Sequence, residues 1–384
     1  MTLHRRVRSR SVKIVAGVSA VAGGVLAAGL AMGPAGAAGT GSVGAGGAGC
    51  VSGTLAFDAT DSETAGKPLV TSAARNANWE LWGRATASGP EQRLATGLTS
   101  YRDGTFDACA PSGKPMAQLR VKFLSSSTKM WRVVSDAKSQ QEYSFFSATR
   151  SGSSAGRNLG TVKVPAEMAP AWKTVDTTNK LWWKRGNTQT PCWTRNESAG
   201  QCTQLTYVWK NDGKEGSWWD GGTGYVMLAG LDPRSQHLVL HEAGHFFMSK
   251  LYGRNYPQVT NCNPHPMEKR TSETCALWEG FPDAIAAYAM GDRRYVYSGS
   301  AVLDFDKTEG WQTGDQVEGR VAGALLDLWA TGGPDGGTWD RTIDSMITSH
   351  PGTFRDYWLG ARPAAGLPVS GQARSLIEQR TLRY

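Results

Sequence analysis

A chain of 384 residues can fill two or three domains with a sizeable core, which excludes a lone small module. At 40% hydrophobic and 19% charged it is neither a disordered acidic tail nor a multispan membrane protein. The formal charge of +8 does not argue for a nucleic-acid partner: Arg5, Arg6, Arg8, Arg10 and Lys13 supply five of those charges, residues 1–37 hold no acid, and no basic run with interleaved aromatics follows.

The leading cations precede an uncharged stretch, 14–32, and a small-residue run with an Ala35-x-Ala37 cleavage site, so residues 1–37 read as a secretory signal peptide. Arg5-Arg6 leaves twin-arginine and general export both open. The stretch is poor in Leu and Ile, so cleavage is expected rather than an uncleaved anchor. The product is then secreted, with no stable membrane insertion. Residues 38–49, almost all Gly, Ala, Ser and Thr, form a flexible lead-in. Six cysteines in an exported chain suit disulfides. The pairs Cys50–Cys109, Cys192–Cys202 and Cys262–Cys275 are expected because each closes a loop inside one segment, and the absence of Cys-x-x-Cys speaks against a cysteine zinc site.

From Cys50 onward, short alternating runs rich in Val, Leu, Phe and Trp, at 51–57, 79–82, 105–109, 118–123, 129–134, 143–148 and 160–164, are separated by turn clusters. They predict an all-β sandwich domain over 50–164. Gly53-x-Leu55 leading to Asp58, and Tyr101-Arg102-Asp103-Gly104-Thr105-Phe106, resemble the prealbumin-like or carboxypeptidase-regulatory-like sandwiches often appended to secreted peptidases. Residues 165–223 hold Trp172, Trp182, Trp183, Trp193, Trp209, Trp218 and Trp219. Indoles mainly supply buried area, so a core and junction role is expected; stacked indoles can also hold sugar rings, which leaves cell-wall or glycan contact through the N-terminal domain open.

Past Gly224 the pattern changes period. Residues 225–228 read as a strand, with 224–229 the edge that would pair with extended substrate. Asp232 and Pro233 predict the start of a helix that runs to about Leu251 and stops at Gly253. Further helices are predicted at 275–290, 317–329, 339–349 and 372–380. The fold class is therefore α+β, with the N-terminal all-β sandwich followed by a mixed, mainly helical domain over 165–384.

The first of these helices contains His241-Glu242-Ala243-Gly244-His245, an HExxH pattern. Residues four apart share a helix face, so both imidazoles can reach one metal ion while Glu242, turned about 100° around the axis, lies beside a metal-bound water. A catalytic zinc wants a third protein ligand and an open position. In Trp278-Glu279-Gly280-Phe281-Pro282-Asp283, Glu279 can ligate, and Asp283, on the same face if the stretch is helical, can accept a hydrogen bond from a ligating histidine. Pro282 is expected to start or kink that helix and shift Asp283 relative to Glu279.

With these two motifs the sequence resembles the gluzincins, thermolysin-like and aminopeptidase-like zinc metallopeptidases whose third ligand is a glutamate in Glu-x-x-x-Asp. The resemblance spans about 224–330 and includes the phrase Glu318-Gly319-Arg320 through Trp329. It implies His241, His245 and Glu279 as zinc ligands, Glu242 as general base and Asp283 as the residue behind a ligand. It places no oxyanion-stabilising group; Tyr288, Tyr295, Tyr297, Arg320 and His350 are all available, His237 is expected to be solvated or behind the ligands, and His265 simply loop. The expected function is a secreted zinc peptidase, an endopeptidase acting on peptide or protein substrates. The other reading is a secreted cell-surface or glycan-binding protein with a structural or degenerate zinc site. A Ser-His-Asp hydrolase fits less well, because the scarce histidines already have a role.

Overall fold

In the computed structural model, which describes residues 49–384 apart from 112–115, 152–156, 187–189, 199, 215, 254 and 300, the chain alternates first between short strands and later between helices. The expected signal peptide, 1–37, and all of the lead-in except residue 49 lie outside the described residues. The front strands are β1 (Cys50–Thr60), β2 (Leu69–Ala73), β3 (Asn78–Arg84), β4 (Gln92–Leu98), β5 (Thr105–Cys109), β6 (Gln118–Leu124), β7 (Ser126–Ser127), β8 (Trp131–Val134), β9 (Ser144–Phe146), β10 (Arg150–Ser151) and β11 (Asn158–Lys163). β1 organises one sheet: β5 and β2 pair antiparallel with its two halves, and β11 runs parallel along its other side. A second sheet has the order β10-β6-β3-β4, with β9 also on β6. Strict alternation in β3 and β6 buries Trp79, Leu81, Leu119, Val121 and Phe123, and the Phe106 ring of the first sheet meets Phe123 edge to face at 5.1 Å. β2 and β4, absent from the sequence reading, are half-exposed strands without that alternation.

The rear begins with α1 (Ala169–Lys184), followed by β12 (Leu205–Trp209), β13 (Trp218–Asp220) and β14 (Tyr225–Leu228). A third sheet has the order β13-β14-β12-β8-β7, in which β12 runs parallel to both β14 and β8. Two strands from the front of the sequence thus complete the rear sheet. β14 is not an edge as expected; β13 pairs antiparallel on its outer side and takes that place.

The helical layer consists chiefly of α2 (Gln236–Tyr252), α3 (Glu273–Met290), α4 (Glu318–Trp329) and α5 (Asp340–Ser349), with a small ribbon of β15 (Arg294–Val296) and β16 (Val302–Asp304) after α3, and a last helix at Gln372–Gln379. The start of α2 differs from expectation. Asp232 and Pro233 make a short 3₁₀ turn, and Ser235 caps the helix by accepting from the Leu238 N–H at 3.0 Å. The Asp232 carboxylate instead accepts from the Ser217 and Ser298 hydroxyls at 2.6 and 2.5 Å. Gly253 ends α2 with φ +57, as expected. α3 runs through Pro282 without a break, between a Ser272 cap and a left-handed Gly291.

Two glycines let these helices close on each other. A Cβ at Gly244 would lie 2.9 Å from the Pro282 Cα, and one at Gly280 only 2.6 Å from the Glu318 carbonyl oxygen. α2 meets α3 at the first and α3 meets α4 at the second. All three expected disulfides are present. Of the tryptophans, Trp172, Trp193 and Trp209 are fully buried, whereas Trp183 and Trp218 are exposed. Among the described residues no helix is long and apolar enough to cross a membrane.

Candidate metal centre

His241 and His245 project one turn apart from α2, and Glu279 faces them from α3. The two Nε2 atoms are 3.2 Å apart, and Glu279 Oε2 lies 3.3 Å from the first and 3.0 Å from the second. All three side chains are buried, and their candidate ligand atoms lie within 4.8 Å of one another. Tetrahedral zinc ligands, about 2.0–2.1 Å from the ion, stand roughly 3.3 Å apart, so this triangle has the size of one face of such a site. Asp283 Oδ1 is 2.7 Å from His241 Nδ1. With the Nδ1 proton donated to Asp283, the Nε2 lone pair is left facing the other two atoms. The unbroken α3 therefore keeps Asp283 on the face of Glu279, and the expected displacement at Pro282 does not occur.

Charge at the site is unbalanced. Burial disfavours a charged His241, yet Asp283 and Glu279 beside it hold its pKa well above the ordinary value. Burial likewise pushes Glu279 up, but His245 and His241 outweigh it and hold the carboxyl well below its usual range. Glu242 is raised by burial, against the pull of His241 and His245, and among the described residues its Oε2 has no hydrogen-bond partner. Glu318, at the start of α4, is driven well above the carboxylate range by burial and by Asp283 and Glu279. Several carboxyl groups thus crowd around two imidazoles with acceptors left unmet, a donor set that a divalent cation satisfies.

The centre opens into a cleft of about 280 Å³ bordered by Trp218 and Trp219 of β13. Of the five groups weighed as oxyanion stabilisers, Tyr295 and Tyr297 line this cleft. Tyr288 stacks on Trp339, the Arg320 guanidinium is spent on Thr308 and the Gln312 carbonyl, and His350 faces Tyr252. His265, read as simply loop, lines the cleft as well, with Nδ1 3.1 Å from Glu318 Oε2. The Cys262–Cys275 disulfide is the one sequence signal for it, since it clips the His265 loop to the first turn of α3. His237 is fully buried rather than solvated and lies between Glu63 and Asp292.

An α+β frame holding a buried His-His-Glu cluster beside an open cleft defines a candidate metalloprotein. The mycolysin C-terminal domain matches residues 185–381 and the mycolysin middle domain residues 50–171. The first match alone spans just over half of the chain, which belongs to the mycolysin family, a family of bacterial secreted zinc metallopeptidases. No curated protein matches the chain. Among solved structures, a 9R-lipoxygenase from Cyanothece is similar at 16% identity and a TM-score of 0.20, over 36% of this chain and 23% of its own; a likeness that slight carries no argument.

Proposed function

We propose that the chain is a secreted zinc endopeptidase of the gluzincin type, exported by removal of residues 1–37, with His241, His245 and Glu279 as zinc ligands and Glu242 as general base. The observation that carries this reading is the buried triangle of His241 Nε2, His245 Nε2 and Glu279 Oε2, with the Glu242 carboxylate, whose Oε2 has no partner among the described residues, next to it in an open cleft. Zinc, when bound there, supplies Lewis acidity toward the attacking water and the scissile carbonyl. Asp283 holds the His241 ring and its tautomer through the 2.7 Å bond. Glu242 takes a proton from the attacking water and passes it to the leaving amine nitrogen, a role served by a carboxyl whose pKa burial has raised. β13 is the terminal strand of its sheet, along which an extended peptide can lie. Burial keeps the Tyr295 and Tyr297 hydroxyls protonated, so either can donate to the peptide oxygen as charge builds on it.

The test is cleavage profiling of the zinc-loaded full chain on a diverse peptide mixture, beside Glu242→Gln. New termini are expected from the parent alone, with turnover of the variant down by roughly a hundred- to ten-thousandfold at undiminished zinc content. Equal cleavage by both proteins sinks the assignment of Glu242. Zinc uptake without cleavage by either moves the binding-protein reading ahead.

A further inference from the structure

The loop between β1 and β2 reaches the start of the metal-bearing helix. Ser62 donates its N–H to the Arg234 carbonyl at 3.2 Å, Lys67 bonds the Gly299 carbonyl, and the buried Lys173 ammonium of α1 ties the Thr60 and Arg234 carbonyls together at 2.7 and 2.6 Å. Within that loop, Glu63 Oε1 accepts from the backbone N–H groups of Gln236 and His237 at 2.5 and 3.3 Å. These are first-turn donors of α2 that no helix can satisfy internally. The same oxygen lies 3.4 Å from His237 Nδ1, and the opposite ring nitrogen, Nε2, lies 3.0 Å from Asp292 Oδ1. Asp292 directly follows Gly291, the residue that closes α3. One carboxylate from the front of the chain therefore holds the start of the helix carrying His241 and His245. Through a single imidazole it also holds the end of the helix carrying Glu279. The His237 ring packs on Tyr295, which also meets the His241 ring, at centroid distances of 6.3 and 5.6 Å.

We infer that Glu63 is a positioning residue for the metal centre: through His237 it fixes α2 against α3 and so sets the spacing of the three ligand atoms, which makes the front β region part of the catalytic apparatus. The inference rests on the metal-centre reading above. Nothing else among the described residues joins a front-region carboxylate to the ends of both helices. Holding the triangle at 3.0–3.3 Å needs the two helices to keep one register. Buried between two carboxylates, His237 gains from its proton in this arrangement, and its pKa is raised even though burial opposes the charge.

The experiment loads the full chain with Co(II), whose visible absorption reports ligand geometry, and measures metal affinity by chelator competition well below the melting temperature. Glu63→Ala is expected to shift the absorption band and weaken metal binding about tenfold. Glu63→Gln keeps an acceptor for the two backbone donors but loses the charge facing His237, so it should fall between Ala and parent. Glu91→Gln, which breaks a front-region pair with Arg120, should match the parent. If Glu63→Ala does not fold, Glu63→Gln decides. A folded Glu63 variant with the parent's spectrum and affinity overturns the inference while the metal centre stands. A parent that takes up no Co(II) overturns the metal centre itself, and the inference with it.

Discussion

Two buried charged clusters in the rear of the molecule are built on opposite terms. Arg362 and Asp335 are both wholly buried; they pair through two hydrogen bonds of 2.8 and 2.9 Å, and the guanidinium also reaches the Tyr357 hydroxyl and the Pro368 carbonyl. That cluster is closed: its charges cancel and its donors are used. Around His241 and His245, by contrast, Glu242, Glu279, Asp283 and Glu318 crowd together, and among the described residues Glu242 Oε2, Asp283 Oδ2 and His245 Nδ1 have no hydrogen-bond partner. A closed cluster serves specificity of fold, whereas an open one is kept because something else completes it.

Substitutions at the two clusters should part accordingly. His241→Ala is expected to abolish metal binding and essentially all turnover while the chain still folds, as read by metal analysis alongside circular dichroism. Asp335→Ala should do the reverse: it leaves a buried guanidinium uncompensated and costs about 3–5 kcal/mol in denaturant unfolding, with zinc still bound in the folded fraction. A catalytic defect from Asp335→Ala at full stability would erase the contrast. Gly244→Ala sharpens it, because the added methyl meets the Pro282 backbone and must push α2 from α3. It should cost about 1–3 kcal/mol and also weaken metal binding, a combination neither of the other two gives.

The smallest effect is in pH. Burial pushes the Glu63 carboxyl up, but hydrogen bonding to His237, with Asp61 and Lys173 nearby, outweighs it and lowers the pKa from 4.5 to about 2. Its contribution to stability is complete above pH 4.5 and is lost as pH falls toward 2. His237, faced by Glu63, Asp292 and the Tyr295 ring, is raised above its ordinary 6.5, so its contribution is complete below that value and is lost as pH rises through the folded pKa. This group of charges should therefore stabilise most between pH 4.5 and 6.5, and each titration should tilt unfolding free energy by at most about 1.4 kcal/mol per pH unit. Glu63→Gln should flatten the acid limb of that profile. An unchanged acid limb would detach Glu63 from it.

What was legible in the sequence followed local periodicity. The i, i+4 spacing of His241 and His245 and the four-residue step from Glu279 to Asp283 are helix-face patterns, and the alternation of β3 and β6 is a strand-face pattern. α1 is buried nearly all round, with Thr174, Asp176, Thr178 and Asn179 inside, several of them bonded to residues far away in sequence, so its polar positions do not mark an outer face. Pro282 misled because a local preference against proline in a helix was overridden by the contact with Gly244, which only the fold supplies. Glu63 carries no local signature and owes its place to a loop fastened far away in sequence, and His265 is signalled only by the Cys262–Cys275 clip.

The pairing of β12 between β8 and β14 bears on any attempt to divide the chain. Residues 205–209 are buried at every position, and their partner on one side, β8, comes from the front region of the sequence. A piece beginning at residue 165 would keep the pairing with β14 but present the other side of Leu-Thr-Tyr-Val-Trp as a bare apolar edge, a template for recruiting other chains. The protein is thus stitched rather than jointed, and its parts are poor candidates for exchange.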